Sequence, residues 1–323
     1  MKTTAYSLLL LLAATALTTS CSSTDSDSNS PLVINIPAAA DDECCSLDDE
    51  LAMRSLFADY KEVEHLTGIV FGKYTIRVYA RYATLRVGFN ELLFAVEKTE
   101  TAQHVKDIQF SDLVPLMTMG TMGMKHSSPV GNTFRQVTVT YAGATRQLPV
   151  YRTWFAPVMP SDENSFWELS VSYNVKGSDG KSSNLRFTVD KAPDGQTWLK
   201  SFKHDDHTYY LTLANAADLQ TGVNTIQAYV SRTGDDKTLP YYEATDEFTI
   251  EITPTMPDMG NHSSPGNEPL TRQPSGIYEG RLNLSMTGRW NIHLVVKDRD
   301  GNTVAGADTD TSGYSSLFWT VTI

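Results

Sequence analysis

Two parts of the chain carry the same landmarks in the same order and at nearly equal spacing. The aligned pairs are Gly88 with Gly222, Asn90 with Asn224, and His126 with His262. The glycine and histidine are 38 residues apart in the first part and 40 residues apart in the second. Because self-similarity of this kind indicates a repeated structural unit, we predict two homologous units, residues 62–178 and 186–323, joined by the turn-rich run at 177–180.

Within each unit, apolar and polar residues alternate in short runs. Leu282, Leu284 and Met286 occupy even positions, and after a turn at Thr287-Gly288 the apolar residues of 290–296 are again at even positions. This phase predicts a β-hairpin with one buried face. Strands at this spacing, in units of roughly 110 residues, are typical of immunoglobulin-like sandwiches. The predicted fold is all-β, with two tandem immunoglobulin-like β-sandwich domains after a signal peptide and a disordered tether.

Composition narrows the range of partners. The chain has 323 residues, of which 41% are apolar, so it can build substantial cores. Lys and Arg number 26 against 38 Asp and Glu, a net charge of −12. This acidic balance disfavours nucleic acid and anionic lipid as electrostatic partners. No run of 18 apolar residues follows the N-terminus, so an integral membrane bundle is not expected.

Residues 1–20 are predicted to be a lipoprotein signal peptide. Lys2 precedes an apolar run at 7–17, which is too short for a stable membrane span, and small residues then lead to Cys21. A lipobox of this type receives diacylglycerol on the cysteine thiol. Leu17 lies four residues before Cys21, where three is usual, so a plain signal cut nearby is the alternative. We expect the mature protein in the cell envelope, lipid-anchored to the outer membrane on its periplasmic side or at the cell surface.

Residues 21–61 are expected to form an acidic tether with a short helix. Eight acidic residues and no Lys or Arg occur in residues 22–50, a composition typical of a solvated segment. Such a stretch after a lipid-bearing cysteine resembles surface-export signals, or is simply a spacer. Ser46 and Asp49 are spaced to cap a helix from Leu47 to Tyr60.

The other two cysteines, Cys44 and Cys45, are adjacent. A disulfide between neighbouring cysteines is strained and uncommon. We therefore expect either a thiol pair without a set role or a soft thiolate pair for Cu(I).

Methionine and histidine are concentrated in two short segments. The chain contains ten Met and seven His in all. The predicted metal ligands are Met117, Met119, Met122, Met124 and His126 in unit 1, and Met256, Met259, His262 and Met286 in unit 2. Thioether and imidazole together suit copper, above all Cu(I). Thioethers need no deprotonation and cannot be lost to disulfides in an oxidising envelope.

The spacing of these residues allows them to converge. On extended backbone Met117 and Met119 share a face, as do Met122 and Met124, while glycines between the pairs allow a bend. In unit 2, Pro257-Asp258 suits the middle of a β-turn that brings its flanking methionines together. The alternative is packing, since Met fills irregular gaps in cores. Packing is favoured for Met159 and Met286, although a methionine at a strand end could still be a ligand.

The remaining histidines give weaker signals, and the sequence contains none of the common catalytic motifs. The run from His204 to His207 reads as a solvated turn rather than a metal site, and His293 falls on the outward phase of its strand. There is no Gly-x-Ser-x-Gly, no His-Glu-x-x-His and no phosphate-binding glycine loop. We therefore expect a protein that is not an enzyme.

Unit 2 resembles a known family. The residues that carry the resemblance are Gly222-Val223-Asn224, Met256-Pro257-Asp258-Met259-Gly260, Gly276-Ile277-Tyr278-Glu279-Gly280 and Leu284-Ser285-Met286-Thr287-Gly288-Arg289-Trp290. They are similar to the YtkA-like/FixH-like domains. The resemblance implies a small extracytoplasmic β-sandwich linked with copper handling or cytochrome oxidase assembly. Unit 1 lacks the Met-Pro-x-Met run and the Gly-x-Tyr element, so copper binding there depends on its own methionine cluster.

These observations predict a lipid-anchored envelope protein that binds copper through Met/His loops, for buffering or for delivery to a copper-accepting or copper-donating envelope protein. The alternative is a structural or adhesive surface lipoprotein that binds no metal, because tandem sandwiches on a tether suit display as well. Nucleic acid is not an expected partner.

Overall fold

The computed structural model describes residues 44–120, 123–182 and 184–323. Antiparallel strands dominate this part of the chain, and the all-β prediction is confirmed. The predicted signal peptide, Cys21, the tether up to residue 43 and Met122 lie outside the described residues. Among the helices described, none is both long and apolar enough to cross a bilayer.

The described part of the first half contains one helix and thirteen strands. In chain order they are α1 (Leu47–Phe57), β1 (Lys61–Glu62), β2 (Ile69–Phe71), β3 (Tyr74–Ala80), β4 (Leu85–Arg86), β5 (Asn90–Lys98), β6 (Ile108–Met119), β7 (Met124–His126), β8 (Arg135–Tyr141), β9 (Ala144–Phe155), β10 (Ser165–Val175), β11 (Ser178–Lys181), β12 (Leu185–Phe187) and β13 (Val189–Asp190). One sheet has the order β1-β3-β5-β9-β8, with β2 on β3, and the other has the order β11-β10-β6-β7, with β12 on β10. Apolar side chains of both sheets, including Phe94, Phe155 and Trp167, share one core.

Helix α1 covers one face of the first sandwich. Ser46 and Asp49 form the predicted capping box, and the helix ends at Phe57, three residues before its predicted end. Ala52 and Met53 are buried against strands β5, β8 and β9. Arg146 of β9 pairs with Asp48 and with Asp49 (3.0 Å). These two acids, expected in a solvated tether, therefore dock the helix onto the sheet.

The second half is built around a separate core. Its elements are β14 (Leu199–His204), β15 (His207–Leu213), a 3-10 turn (Ala216–Asp218), β16 (Gly222–Arg232), β17 (Thr249–Met256), a 3-10 turn (Pro257–Met259), β18 (His262–Ser263), β19 (Glu268–Arg272), β20 (Tyr278–Leu284), β21 (Arg289–Lys297), β22 (Thr303–Ala305) and β23 (Phe318–Thr322). The strand order is β14-β15-β16-β20-β19-β17-β21-β22, with β18 on β17 and β23 on β21. The strands enclose Tyr209, Tyr278, Trp290 and Trp319, all buried.

The prediction of a hairpin at residues 282–296 is wrong, because its two strands do not pair, although the predicted face of each strand is buried. Leu282, Leu284 and Trp290 are fully buried, as the alternation indicated. However, β20 pairs with β16 and β19, whereas β21 pairs with β17, β22 and β23. The connection between β20 and β21 therefore joins strands that are not neighbours in the sheet, because periodicity reports which face is buried and not which strand is the partner.

The passage between the two halves lies later than predicted. Lys176 and Gly177 form the hairpin turn between β10 and β11, and residues 178–180 belong to β11, so the run at 177–180 is not a linker. Strands β12 and β13 still pair with β10 and β4, and Phe187 and Val189 belong to the first core. Trp198 is the first residue of the second core. The chain therefore crosses between the halves at residues 191–198, and not at 178–186.

Equivalent side chains make the same hydrogen bonds in both halves. The amide oxygen of Asn90 accepts from the backbone of Arg86, and its Nδ2 donates to the carbonyls of Arg86 and Gly88. Asn224 makes the same three bonds, to Gln220 and Gly222. The two glycines have φ values of 96° and 98°, a conformation that favours glycine.

The segment that follows β7 joins the two halves. The N–H of Ser127 donates to the carbonyl of Lys237 (2.7 Å), and Tyr241 exchanges backbone hydrogen bonds with Ser128 and Val130. Tyr229 of the second half stacks on Trp154 of the first, with ring centroids 4.5 Å apart. Strand-like pairing and aromatic packing thus fix the position of one sandwich against the other.

Candidate metal site

Four of the predicted ligands share one face of the ribbon formed by β6 and β7. Met117 lies directly opposite His126, and Met119 lies directly opposite Met124. Opposed residues on antiparallel strands point to the same side, and so do residues two positions apart along a strand. The ribbon therefore places three thioethers and one imidazole on one face, which runs from the first core to the rim.

Exposure rises along this face from the core to the rim. Met117 is fully buried in the first core, Met119 is half-buried, and Met124 is 50% exposed. The burial of Met117 favours the packing alternative for this residue, and its role as a ligand stays a prediction. Met119 and Met124 remain available at the rim.

His126 is oriented by its own chain. Its Nδ1 lies 2.8 Å from the carbonyl oxygen of Ser127, which can only accept a hydrogen bond. Nδ1 therefore carries the proton in the neutral ring, and Nε2 is left with a free lone pair. The carbonyl is in turn held in place because the Ser127 hydroxyl donates to the Pro115 carbonyl (2.6 Å) and the Ser127 N–H donates to Lys237.

The free nitrogen of His126 faces a methionine sulfur. The Nε2 atom lies 3.2 Å from Sδ of Met159, which is 33 residues further along the chain. The backbone of Met159 is anchored because the indole N–H of Trp167 donates to its carbonyl (3.0 Å), and the indole also meets the His126 ring edge-on. In zinc sites the metal–nitrogen and metal–sulfur bonds are about 2.0 and 2.3 Å. Both atoms are therefore close enough to bind one ion.

Met159 is the residue that the sequence did not rank among the ligands. Packing was favoured for it because its position follows the phase of a buried strand. The signal that pointed to it was its place at a strand end beside the loop. The soft donors that the structure brings to this rim are thus Met119, Met124, His126 and Met159, and this donor set fits Cu(I).

The second half repeats part of this arrangement. Met256 lies opposite His262, and the Ser263 hydroxyl donates to the Pro254 carbonyl (3.0 Å), as Ser127 does to Pro115. However, Met256 is only 3% exposed and packs in the second core, which favours the packing alternative for this residue too.

The turn predicted after Met256 is present as the 3-10 turn Pro257–Met259, and Gly260 ends it in the left-handed conformation. Met259 is 54% exposed and His262 is exposed too. Asp258 beside them is paired with Arg289 through two hydrogen bonds (2.7 and 3.2 Å). This rim thus carries two exposed donors, Met259 and His262, and a nearby ion pair.

Met286 occupies the place in the second half that Met159 has in the first. The indole N–H of Trp290 donates to its carbonyl (3.0 Å), and its side chain packs partly against the core. Among the described contacts, none joins Met286 to His262. The first rim, where nitrogen and sulfur already face each other, is therefore the better-formed candidate.

Three other expectations concern residues outside these rims. Cys44 and Cys45 are joined in a disulfide, so the expected thiol pair is wrong in this state. His204 lies at the β14–β15 hairpin turn and contacts Asp205 (3.2 Å). Within the described ranges, no group of three or more His, Cys, Asp and Glu side chains could hold a metal ion.

His293, expected at the surface, is only 3% exposed. Its Nε2 lies 2.9 Å from the Thr255 hydroxyl, and its Nδ1 donates to the Ser315 carbonyl (2.7 Å). Its ring also stacks on Tyr314 (5.1 Å between centroids). The loop between β22 and β23 covers β21 at His293, so this residue is buried although it lies on the outer face of the strand.

Comparison with known families gives one match. Residues 203–295 match the family model described as YtkA-like. The matched part runs from β14 to β21 in the second half and includes Met256, Met259, His262 and Met286. Among the curated proteins compared with the chain, none matches it.

Proposed function

We propose that this protein is a lipid-anchored protein of the bacterial envelope that binds Cu(I) reversibly at its methionine- and histidine-bearing rims. The observation that carries the proposal is the contact between Nε2 of His126 and Sδ of Met159 (3.2 Å). A thioether pointed at the lone pair of an imidazole is a soft donor pair, and soft donors select Cu(I). Met119 and Met124 lie on the adjoining ribbon and would complete the coordination.

The proposal extends to tandem copies of one family. The YtkA-like match covers only the second half. The matched hydrogen bonds of Asn90 and Asn224, and of Trp167 and Trp290, support a common origin for both halves. In this proposal the first half has kept the better ligand geometry, while Met259 and His262 of the second half form a weaker, exposed site. The YtkA-like/FixH-like resemblance adds copper homeostasis or cytochrome oxidase assembly as the physiological setting.

The proposal includes attachment through Cys21 to the outer membrane. Cleavage before this residue and lipidation of its thiol would leave the copper rims in the envelope space or at the cell surface. Labelling cells with a radioactive fatty acid tests this step, because a Cys21→Ser variant should lose the label entirely. Equal labelling of both chains would contradict lipid attachment at this position.

The copper proposal is tested by titrating the full-length chain, purified in detergent, with Cu(I) against the chelator bicinchoninate under ascorbate. Met159→Leu and His126→Asn should each weaken Cu(I) binding at least about tenfold. This is the loss expected when the removed side chain contributes about 1.4 kcal/mol or more to the binding free energy. Met53→Leu is the matched control, since Met53 lies on helix α1, is buried against the sheet and belongs to neither rim. A Cys44→Ser/Cys45→Ser variant separates copper bound by reduced thiols from copper bound at the rims.

The competing proposal is a structural or adhesive surface lipoprotein without a metal. The burial of Met117 and Met256 in the two cores favours it, because packing explains these methionines without copper. If Met159→Leu and His126→Asn bind Cu(I) as tightly as the unaltered chain does, the copper proposal fails and the structural alternative gains.

A further inference from the structure

A cavity of about 470 Å³ lies between the two sandwiches, away from both rims. Strands β5, β8 and β9 form its wall on one side, and β16 with the 3-10 turn Ala216–Asp218 forms its wall on the other. Ligand sites are usually clefts of about 300–1,000 Å³ and occur preferentially where domains meet. Because backbone hydrogen bonds hold the two halves together beside it, the cleft is preformed.

Three aromatic rings form one wall of this cleft. Tyr229 stacks on Trp154 (4.5 Å), and Phe89 lies 5.9 Å from each of them, nearly parallel to Tyr229. Trp154 is buried, while Phe89 and Tyr229 are half-buried and line the cavity. Partly exposed rings of this kind offer a flat apolar surface at low conformational cost.

The charges that line the cleft are balanced. The charged lining residues are Arg81, Arg135, Arg152, Glu91, Asp218 and Glu243. Arg152 pairs with Glu91 (3.1 Å), and Arg81 pairs with Asp218 (2.8 Å). An ionic ligand would have to compete with these pairs, and the net charge of −12 disfavours an anion in any case. The cleft therefore suits a neutral ligand.

The same groups offer many hydrogen bonds to a neutral molecule. Guanidinium groups donate and carboxylates accept, and the amides of Gln136, Asn215 and Gln227 each keep one N–H beyond the one that they donate within the fold. A molecule with a flat apolar ring face and several hydroxyl groups at its edge would use the aromatic wall and the polar groups together. We propose that the cleft between the sandwiches binds a neutral carbohydrate, with one sugar ring against Phe89 and Tyr229 and its hydroxyl groups toward the paired arginines and carboxylates.

The test is calorimetric titration of the full-length chain in detergent with neutral disaccharides. The probes are maltose, cellobiose, xylobiose, mannobiose and N,N′-diacetylchitobiose, and AMP serves as a charged ring-bearing probe. We expect saturable binding of at least one disaccharide and a weaker response to AMP. Tyr229→Leu and Phe89→Leu should each weaken that binding about tenfold or more through loss of the aromatic wall.

Tyr210→Leu is the matched control for Tyr229→Leu. Tyr210 lies on the neighbouring strand β15 and, like Tyr229, is half-buried and stacks on another aromatic ring, that of Tyr241 (5.4 Å between centroids). It does not line the cleft. Tyr210→Leu should lower the free energy of unfolding about as much as Tyr229→Leu does and leave disaccharide binding unchanged. The proposal is overturned if no disaccharide binds at millimolar concentration, if AMP binds more tightly than every sugar, or if Tyr210→Leu weakens binding as much as Tyr229→Leu. Copper titration is independent of all these outcomes.

Discussion

His126 and Met159 lie 33 residues apart in the chain, yet the ring nitrogen of one is 3.2 Å from the sulfur of the other. Neither residue lies in the part of the chain that matches a family model. Their contact depends on two backbone anchors, the Ser127 carbonyl behind the imidazole and the Trp167 indole behind the methionine. The predictions below follow from this contact and from its supports.

If both residues hold one copper ion, their substitutions should not be additive. Met159→Leu and His126→Asn each remove one donor, so the double variant should bind Cu(I) little more weakly than the poorer single variant does. Groups that act on a shared partner typically show coupling of about 0.5–3 kcal/mol. A double-mutant cycle of Cu(I) affinities measures this coupling, and strictly additive losses would show that the two side chains do not share an ion.

Trp167→Phe should lower both stability and copper affinity. The substitution removes the hydrogen bond to the Met159 carbonyl and leaves a cavity in the first core, at a cost of about 2 kcal/mol or more. Cu(I) binding should weaken several-fold because Met159 loses its anchor. Trp290→Phe is the control, since the same bond in the second half holds Met286. It should cost similar stability in urea unfolding and leave the His126 site unchanged, so equal copper losses in both variants would count against the anchor.

Asn90→Ala should destabilise the chain more than Asn224→Ala does. Both side chains make the same three local hydrogen bonds, but Asn90 is buried and Asn224 is half-buried. Polar backbone groups left unpaired in a buried place cost about 1–3 kcal/mol. We expect a loss of about 2 kcal/mol for Asn90→Ala and about 1 kcal/mol for Asn224→Ala in urea unfolding. Asn90→Asp keeps the acceptor and loses the donors, so its free energy of unfolding should lie between those of Asn90→Ala and the unaltered chain.

Glu243→Gln should raise the melting temperature at pH 7 and have less effect near pH 4. Burial raises the pKa of Glu243. Hydrogen bonds from the Asn132 backbone and the Trp154 side chain, and the positive charges of Arg135 and Arg272, only partly oppose the shift. A carboxyl whose pKa is higher in the folded state than in the unfolded state opposes folding once it is ionised, and this penalty vanishes as the pH falls below both pKa values. We expect a gain of about 2 °C at pH 7.

The exposed Glu247→Gln is the control for Glu243→Gln, and we expect it to leave the melting temperature unchanged at both pH values. A gain for Glu243→Gln that is as large at pH 4 as at pH 7 would show that the effect does not come from the buried charge. Thermal unfolding followed by circular dichroism gives these comparisons.

The alternation of apolar and polar residues was sufficient to predict strands and their buried faces. Leu282, Leu284 and Trp290 are buried as predicted, and Ser46 begins the helix through the capping box that its spacing indicated. These features are local, because the phase of a strand and the cap of a helix depend on residues a few positions apart.

The tertiary structure alone decided which strands are partners and which side chains the loops cover. β20 and β21 follow each other in the chain but belong to different ladders, and His293 is buried because a later loop covers its face. For the same reason Met117 is part of a core while Met159 meets the imidazole. Contacts between distant segments depend on how whole layers pack, and the period of one strand holds no information about the layer opposite.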